Sequence, residues 1–356
     1  MTSTIDLKKL REQIDSIDDE ILNLLEKRMQ IVKNVGELKH KVGGAIYRPE
    51  REQEIISRLK AHKKGIISDE AIEAIYLEIF AASRNLELPE RVAYLGPKGS
   101  FTHQVAESRF GAYADYLSLS GIESIFKILE NKEAKYGVVP IENNTDGIVG
   151  ITLDCLGKYN SKIVAEVVMD IHHSFASLND SLEGIKKIYS HPQGYNQCRI
   201  FLEEHMLLEL EFIPTKSTAQ AAKMALKDPT SAAICSKIAA KMYQLPILFE
   251  KIEDNLANKT RFLILSDFKT DKAKNNKTSI LAKTEDKPGG LVKFLQIFEK
   301  EKINLTKIES RPLKNSSFET VFYLDFEGYV DDENVQRVIN SGYDIKWLGS
   351  YAASSG

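Results

Sequence analysis

The stretch from residue 7 to residue 42 constrains the fold more than any other part of the chain. Leu7, Leu10, Ile14, Ile17, Ile21, Leu24, Arg28, Ile31, Val35, Leu38 and Val42 follow one another at steps of three and four. This is a heptad seam, apolar at every position but one. An unbroken helix here is about 37 residues and roughly 55 Å long. It is too long to bury its stripe inside a small domain, so it predicts pairing with another long helix, most simply the same helix of a second chain. The exception in the seam is Arg28. A buried guanidinium needs an anionic partner, and the seam offers no acidic residue. Either Arg28 snorkels outward to a surface glutamate or it serves an anionic ligand. Lys39 falls within roughly 20° of Arg28 around the helix, whereas Arg11 falls roughly 100° away and is better placed for a neighbouring site.

The chain as a whole divides into three textures. Residues 5–88 are charged, rich in Leu and Ile, and read as helices. From 91 to 268, β-rich runs at 92–95, 136–139, 162–169, 187–189 and 262–265 alternate with helical stretches, the pattern of an α/β domain. The run KTDKAKNNK at 269–277 reads as a linker. Residues 278–350 give strand, helix, strand, strand, helix, strand, which suits a small α+β sandwich of the ferredoxin-like type. The closing 352–356 are small and polar and read as a tail. Domains are therefore expected at 1–90, 91–268 and 278–356, in keeping with 356 residues at roughly 100–200 per domain.

Charge and cysteine usage exclude several classes. Lys+Arg 48 against Asp+Glu 51 leaves a formal charge of -3, which makes no electrostatic case for nucleic acid or a membrane surface. No apolar run approaches the roughly 18 residues of a spanning helix, and the start MTSTIDLKKLREQ lacks a signal-peptide core. Cys155, Cys198 and Cys235 are odd in number and widely spaced, with no CxxC pair. That rules out a disulfide framework and argues against a zinc site, so a reduced cytoplasmic setting and no metal are expected.

The second helix starts at Tyr47-Arg48-Pro49-Glu50-Arg51-Glu52 and the third near Ser68-Asp69. On the third, Ser83 and Glu87 continue the apolar face of Ile72 and Ile79, so they belong either to an exposed helix end or to a lined pocket. The array Arg11, Arg28, Lys39, Arg51-Glu52, Ser83 and Glu87 resembles the all-helical chorismate mutase family, an intertwined dimer of three-helix chains. The resemblance covers nearly all of 5–88. It implies conversion of chorismate to prephenate by a pericyclic rearrangement, without cofactor or covalent intermediate. Arg28, and Arg11 from the partner chain, would clamp the carboxylates, with Arg51 and Ser83 also binding substrate. Lys39 and Glu87 would donate to the ether oxygen, where negative charge builds as the C–O bond breaks. Glu52 would accept the substrate hydroxyl. Many relatives carry Gln where this chain has Glu87. A Glu donates only when protonated, so a rate favoured at mildly acidic pH is expected.

In the middle region, a strand ending at Gly96 enters Pro97-Lys-Gly-Ser-Phe-Thr102 and opens a helix, a ready anion site or simply a well-capped helix. The spacing is neither a Walker loop nor GxGxxG. Further polar clusters follow strand-like runs: Glu142-Asn143-Asn144-Thr145, Ser190-His191-Pro192-Gln193 with Gln197, and Thr260-Arg261-Phe262. Loops beyond strand ends are where α/β folds bind ligands, although each cluster also suits turn chemistry. Together GPKGSFTHQVA, YGVVPIENNTDG, YSHPQGYNQCRIFL, STAQAA and NKTRFLIL resemble prephenate dehydratase over essentially all of 91–268. The resemblance implies two α/β lobes like a periplasmic binding protein, with prephenate in the cleft losing water and CO2. It places the catalytic threonine at Thr260 and pocket positions at Ser100, Thr102, Glu142, Asn143, Ser190, Gln197 and Ser217. Arg261 would neutralise a carboxylate or form a salt bridge between lobes. His191 would act as an acid or as a structural hydrogen bonder.

The last region holds neither a nucleophile–base pair nor a metal cluster. Pro288-Gly289-Gly290-Leu291-Val292 and Glu309-Ser310-Arg311-Pro312 resemble the two ligand-binding motifs of the ACT domain attached to prephenate dehydratases. Such domains pair and bind L-phenylalanine at their interface; a dimerisation module without ligand is the alternative. The whole reads as a fused mutase and dehydratase under phenylalanine feedback, needing no cofactor and acting as a homodimer or higher homo-oligomer. A binding-protein regulator with little turnover, and a dehydratase whose helical arm has lost its activity, are the rivals.

Overall fold

The computed structural model describes residues 7–42, 48–87, 91–112, 114–145, 147–255, 257–284, 287–312 and 320–354, apart from the side chains of 39–42, 85 and 87. Helix α1 (Leu7–Val42) runs for 36 residues, as the heptad seam requires. Helix α2 (Pro49–His62) begins on a proline with Glu50 and Glu52 in its first turn, where carboxylates favour the positive end of the dipole. Helix α3 (Asp69–Glu87) follows, with Ser68 Oγ accepting from the Ala71 backbone N–H at 3.1 Å. α3 packs on both α1 and α2 and buries Ile72, Phe80 and Ala81. The α1 seam itself stays open: Leu7, Ile14, Ile17, Leu24, Ile31 and Leu38 are each more than half exposed.

The middle region is two α/β lobes. In the first, β1 (Arg91–Leu95), α4 (Phe101–Phe110), β2 (Asp115–Leu119), α5 (Ile122–Glu130), β3 (Tyr136–Asn143), β4 (Gly147–Ile148), α6 (Gly150–Lys158) and β5 (Lys162–Asp170) occur in order. The second holds β6 (Ser174–Ser177), β7 (Lys187–Ser190), α7 (Pro192–Asn196), α8 (Arg199–Glu204), β8 (Glu211–Pro214), α9 (Thr218–Ala225), β9 (Ser231–Cys235), α10 (Lys237–Tyr243) and β10 (Ile247–Glu250). The chain then returns to the first lobe as β11 (Lys259–Ser266). The sheets run β2-β1-β3-β11-β5 and β10-β6-β9-β7-β8, so the lobes are joined by two crossings, β5 to β6 and β10 to β11. The crossings are bonded to each other: Ile171 N donates to Asn258 O at 2.8 Å, and Ile252 N to His173 O at 3.1 Å.

The C-terminal domain is β12 (Asn276–Lys283), α11 (Gly290–Lys300), β13 (Leu305–Pro312), β14 (Thr320–Glu327), α12 (Glu333–Ile339) and β15 (Asp344–Ala352). Its antiparallel order β13-β14-β12-β15 is the ferredoxin-like arrangement expected. One sheet face carries the helices through Phe294, Phe298, Leu324 and Val335; the other lies on the first lobe through Leu281, Tyr323, Leu348 and Tyr351. The approach is close. A Cβ placed on Gly349 would sit 2.2 Å from the Ile163 carbonyl oxygen. The polar run at 269–277 is not a loose spacer: the buried Thr270 donates to Ser350 O at 2.5 Å, and Lys269 and Lys272 pair with Asp331 and Asp332.

Candidate active sites

Two polar sites emerge, one on the helical arm and one between the lobes. On the arm, the half-buried Arg28 of α1 donates to Ser83 Oγ at 2.5 Å and lies 5.8 Å from the Phe80 ring centroid. Beside Ser83, the buried Arg84 pairs with Glu52 of α2 and donates to the Arg109 carbonyl at 3.0 Å. α3 thus holds two polar contacts side by side, Ser83 with Arg28 of α1 and Arg84 with Glu52 of α2. Burial pushes the Glu52 carboxyl up, against the pull of Arg84. Arg84 was not among the expected residues. Its signal lies in the four-residue steps Ile72, Tyr76, Phe80, Arg84, which place it on the buried stripe. Arg11 is exposed on α1, and Arg51 faces water with Glu54 at 2.9 Å. The side chains of Lys39 and Glu87 lie outside the described residues.

The second site follows the seam between lobes. Thr260 on β11 is opposite Asn143 on β3. Asn143 Nδ2 donates to Thr260 Oγ1 at 2.7 Å and to Asn258 Oδ1 at 2.9 Å. Since Oγ1 accepts this bond, its own hydrogen remains to be donated. Ser100 caps α4, accepting from His103 N at 3.2 Å, with Thr102 buried in the first turn. The turn before it touches the second lobe, where Ser236 Oγ donates to Gly99 O at 2.9 Å. A Cβ on Gly99 would lie 3.3 Å from Ala219, two residues past Ser217, which caps α9. Ser190, at the end of β7, is buried and donates to His191 O at 2.9 Å.

His173 joins these groups and was not foreseen. It lies on the β5–β6 crossing, with its ring 5.6 Å from Phe101 and its Nε2 3.0 Å from Gln197 Oε1. Gln Oε1 only accepts, so Nε2 carries the proton; burial holds the ring below its ordinary pKa, hence neutral. Nδ1 is then a buried acceptor without a partner among the described residues. The residue considered at the sequence level, His191, instead caps α7, its Nδ1 accepting from Gln193 N at 3.3 Å.

Two pocket assignments change. Side chains alternate along a strand, so Arg261 points away from Thr260, toward the C-terminal domain. It donates to Glu166 at 2.7 Å, Asp325 at 2.6 Å and the Tyr351 hydroxyl at 3.0 Å. Lys277 completes the cluster at 2.7 Å from Glu166. Burial alone would raise the Glu166 carboxyl; Arg261 and Lys277 hold it below its ordinary value. Two cations thus balance two carboxylates, and losing one member of such a cluster costs about 3–5 kcal/mol. Glu142, opposite Arg261, pairs with Lys307 of β13. Neither side chain faces the cleft. In the C-terminal domain Glu309 and Arg311 also face the first lobe, Arg311 at 3.2 Å from Asp154, while Ser310 and Pro312 are exposed on the other side. Gly289 caps α11 at φ 83, a conformation that favours glycine, Gly290 is buried, Leu291 packs into the domain core and Val292 is exposed.

Comparison with known proteins matches three families in turn: chorismate mutase type II over residues 10–88, prephenate dehydratase over 92–270 and the ACT domain over 278–341. The bifunctional chorismate mutase/prephenate dehydratase of Aquifex aeolicus (strain VF5) is 42% identical over 354 residues, covering 97% of this chain and 98% of its own. The protein of the same description from Neisseria gonorrhoeae (strain ATCC 700825 / FA 1090) is 38% identical, with 99% of each covered. Among solved structures, prephenate dehydratase from Arthrobacter aurescens in complex with L-Phe superposes with a TM-score of 0.67 at 31% identity, over 74% of this chain and 90% of that one.

Proposed function

Because this chain belongs to the bifunctional chorismate mutase/prephenate dehydratase family, we propose that its two polar sites divide the two reactions between them. The protein converts chorismate to prephenate and prephenate to phenylpyruvate, in the synthesis of phenylalanine. The observation that carries the site assignment is the Thr260–Asn143 pair on the crossing between lobes, with a hydroxyl hydrogen left to give. Dehydration needs a donor where hydroxide departs, and ring aromatisation supplies the driving force. A threonine hydroxyl is a weak acid, so Thr260 positions and bonds the departing group rather than ionising. Ser100, Thr102, Ser190, Gln197 and Ser217 line the same seam as carboxylate and keto-group contacts.

On the arm, Arg28 with Ser83 holds one carboxylate of chorismate, and Lys39 and Glu87 stabilise the ether oxygen. The open α1 seam favours a second copy as its cover, and that copy's Arg11 reaches the site. L-phenylalanine binds the ACT domain near Gly289, Gly290, Val292 and Ser310, and shifts the enzyme toward a less active assembly.

The test is purified protein given chorismate, with prephenate and phenylpyruvate followed over time, with and without L-phenylalanine. Prephenate should rise and then fall as phenylpyruvate forms, and the effector should slow the second phase. Thr260→Ala should stop the second phase and leave the first. Undiminished phenylpyruvate production by that variant refutes the assignment.

A further inference from the structure

The residues turned away from the dehydratase cleft form a matched set with the ACT domain. In the first lobe, Arg261 on β11 is the cross-strand neighbour of Glu142 on β3. In the ACT domain, Asp325 on β14 is the cross-strand neighbour of Lys307 on β13. The two ladders face each other with opposite charges at both corners: Arg261 meets Asp325 at 2.6 Å, and Glu142 meets Lys307. One step along each first-lobe strand, on the opposite face, stand Thr260 and Asn143.

The β3–β11 ladder is irregular next to these residues. Between the pairs Arg261–Glu142 and Phe262–Pro140 the register skips Ile141. An extra residue of this kind interrupts the ladder and lets the strand bend. Behind it, Ile141, Arg261, Lys307 and Asp325 line a cavity of about 30 Å³, enough for one or two waters. On its other side β11 pairs with β5 without interruption from Lys259 to Ile264. The irregularity here is thus confined to the β3 side, and that is where the side-chain tethers from the other domain act.

We propose that Arg261 and Glu142 are positioning residues for the dehydratase reaction, holding Thr260 and Asn143 in place through Asp325 and Lys307 of the ACT domain. The dehydratase site is then complete only when the ACT sheet is seated. Lys307 shares β13 with Ser310, on opposite faces of that strand. This inference rests on the reading of Thr260 and Asn143 as cleft residues.

The test uses the full-length protein, with melting temperature reporting on folding of the lobes and ACT domain and the mutase rate on the arm. Lys307→Met should lower dehydratase kcat roughly 10- to 100-fold, the scale of a misplaced catalytic group, with KM little changed and the mutase rate intact. Lys307→Arg should restore kcat. Glu142→Gln combined with Lys307→Met should be no slower than Glu142→Gln alone, since the two act as one unit. Asp325→Asn should behave like Lys307→Met; where it unfolds the chain, the more peripheral Lys307 pair decides. An unchanged kcat in Lys307→Met overturns the inference, as does a raised KM at constant kcat, which would make Glu142 a substrate contact. A Thr260→Ala variant that still turns over prephenate would instead remove the underlying assignment.

Discussion

At the scale of residues, neighbours in sequence do different work because strand geometry sends them to opposite faces. Thr260 and Arg261 read as one motif, yet one bonds Asn143 and the other is spent in an ion cluster between domains. His103 shows a second local dependence: its Nδ1 accepts from Gly99 N at 3.3 Å, so the bond exists only while the ring is neutral. Burial, with some help from Lys98, lowers its pKa from 6.5 to about 4. The unfolded chain therefore takes up a proton that the folded one refuses, and His103 costs stability progressively as pH falls from 6.5 toward 4. Melting temperature measured across that range should drop less steeply in His103→Phe than in the parent protein. For the mutase, Glu87 donates only when protonated, so the rate should rise on mild acidification. Glu87→Gln should flatten that limb of the pH–rate profile; identical profiles would remove Glu87 from the mechanism.

Among the elements, α1 and β9 fall at opposite ends of legibility. α1 follows from its seam, since a period of three and four fixes a helix whatever surrounds it. Its open stripe should be covered by a second copy. Ile17→Asp is expected to weaken self-association in sedimentation and, if the mutase site alone draws on a partner's Arg11 as proposed, to reduce mutase turnover more than dehydratase turnover. β9 is Ser-Ala-Ala-Ile-Cys, too small and too helix-prone to read as a strand. It nevertheless lies within the second sheet, fully buried, with Ala219, Ala222 and Ala225 of α9 and Ala239 and Ala240 of α10 packed nearby. Small residues let helices and sheet approach closely, a property of the assembled lobe and not of the pentapeptide. The ACT sheet uses the same device at Gly349. Gly349→Ala should push β15 off β5 and lower dehydratase activity and melting temperature together, with little effect on the mutase.

Across the whole molecule, the arm, the lobes and the ACT domain are joined by side chains that composition gives no reason to connect. Gly111 sits at φ 77, and a Cβ there would come 2.4 Å from that of Ala81 on α3; the Ala112 N–H donates to Glu78 at 3.2 Å. Gly111→Val should therefore loosen the arm from the first lobe, seen as faster proteolytic cleavage between the two while the lobes stay intact. What is periodic or local was legible along the chain: the long helix with its embedded Arg28, the capped turn at Ser100, the order of strands and helices in the C-terminal domain, and the motifs that mark three families. Tertiary structure alone decided what needs distant segments to meet. It assigned Glu142 and Arg261 to the ACT interface, brought His173 beside Gln197, and tied residues 269–277 down. Periodicity is written along one stretch of chain, whereas the partner of a buried charge is set by whichever segment folds against it.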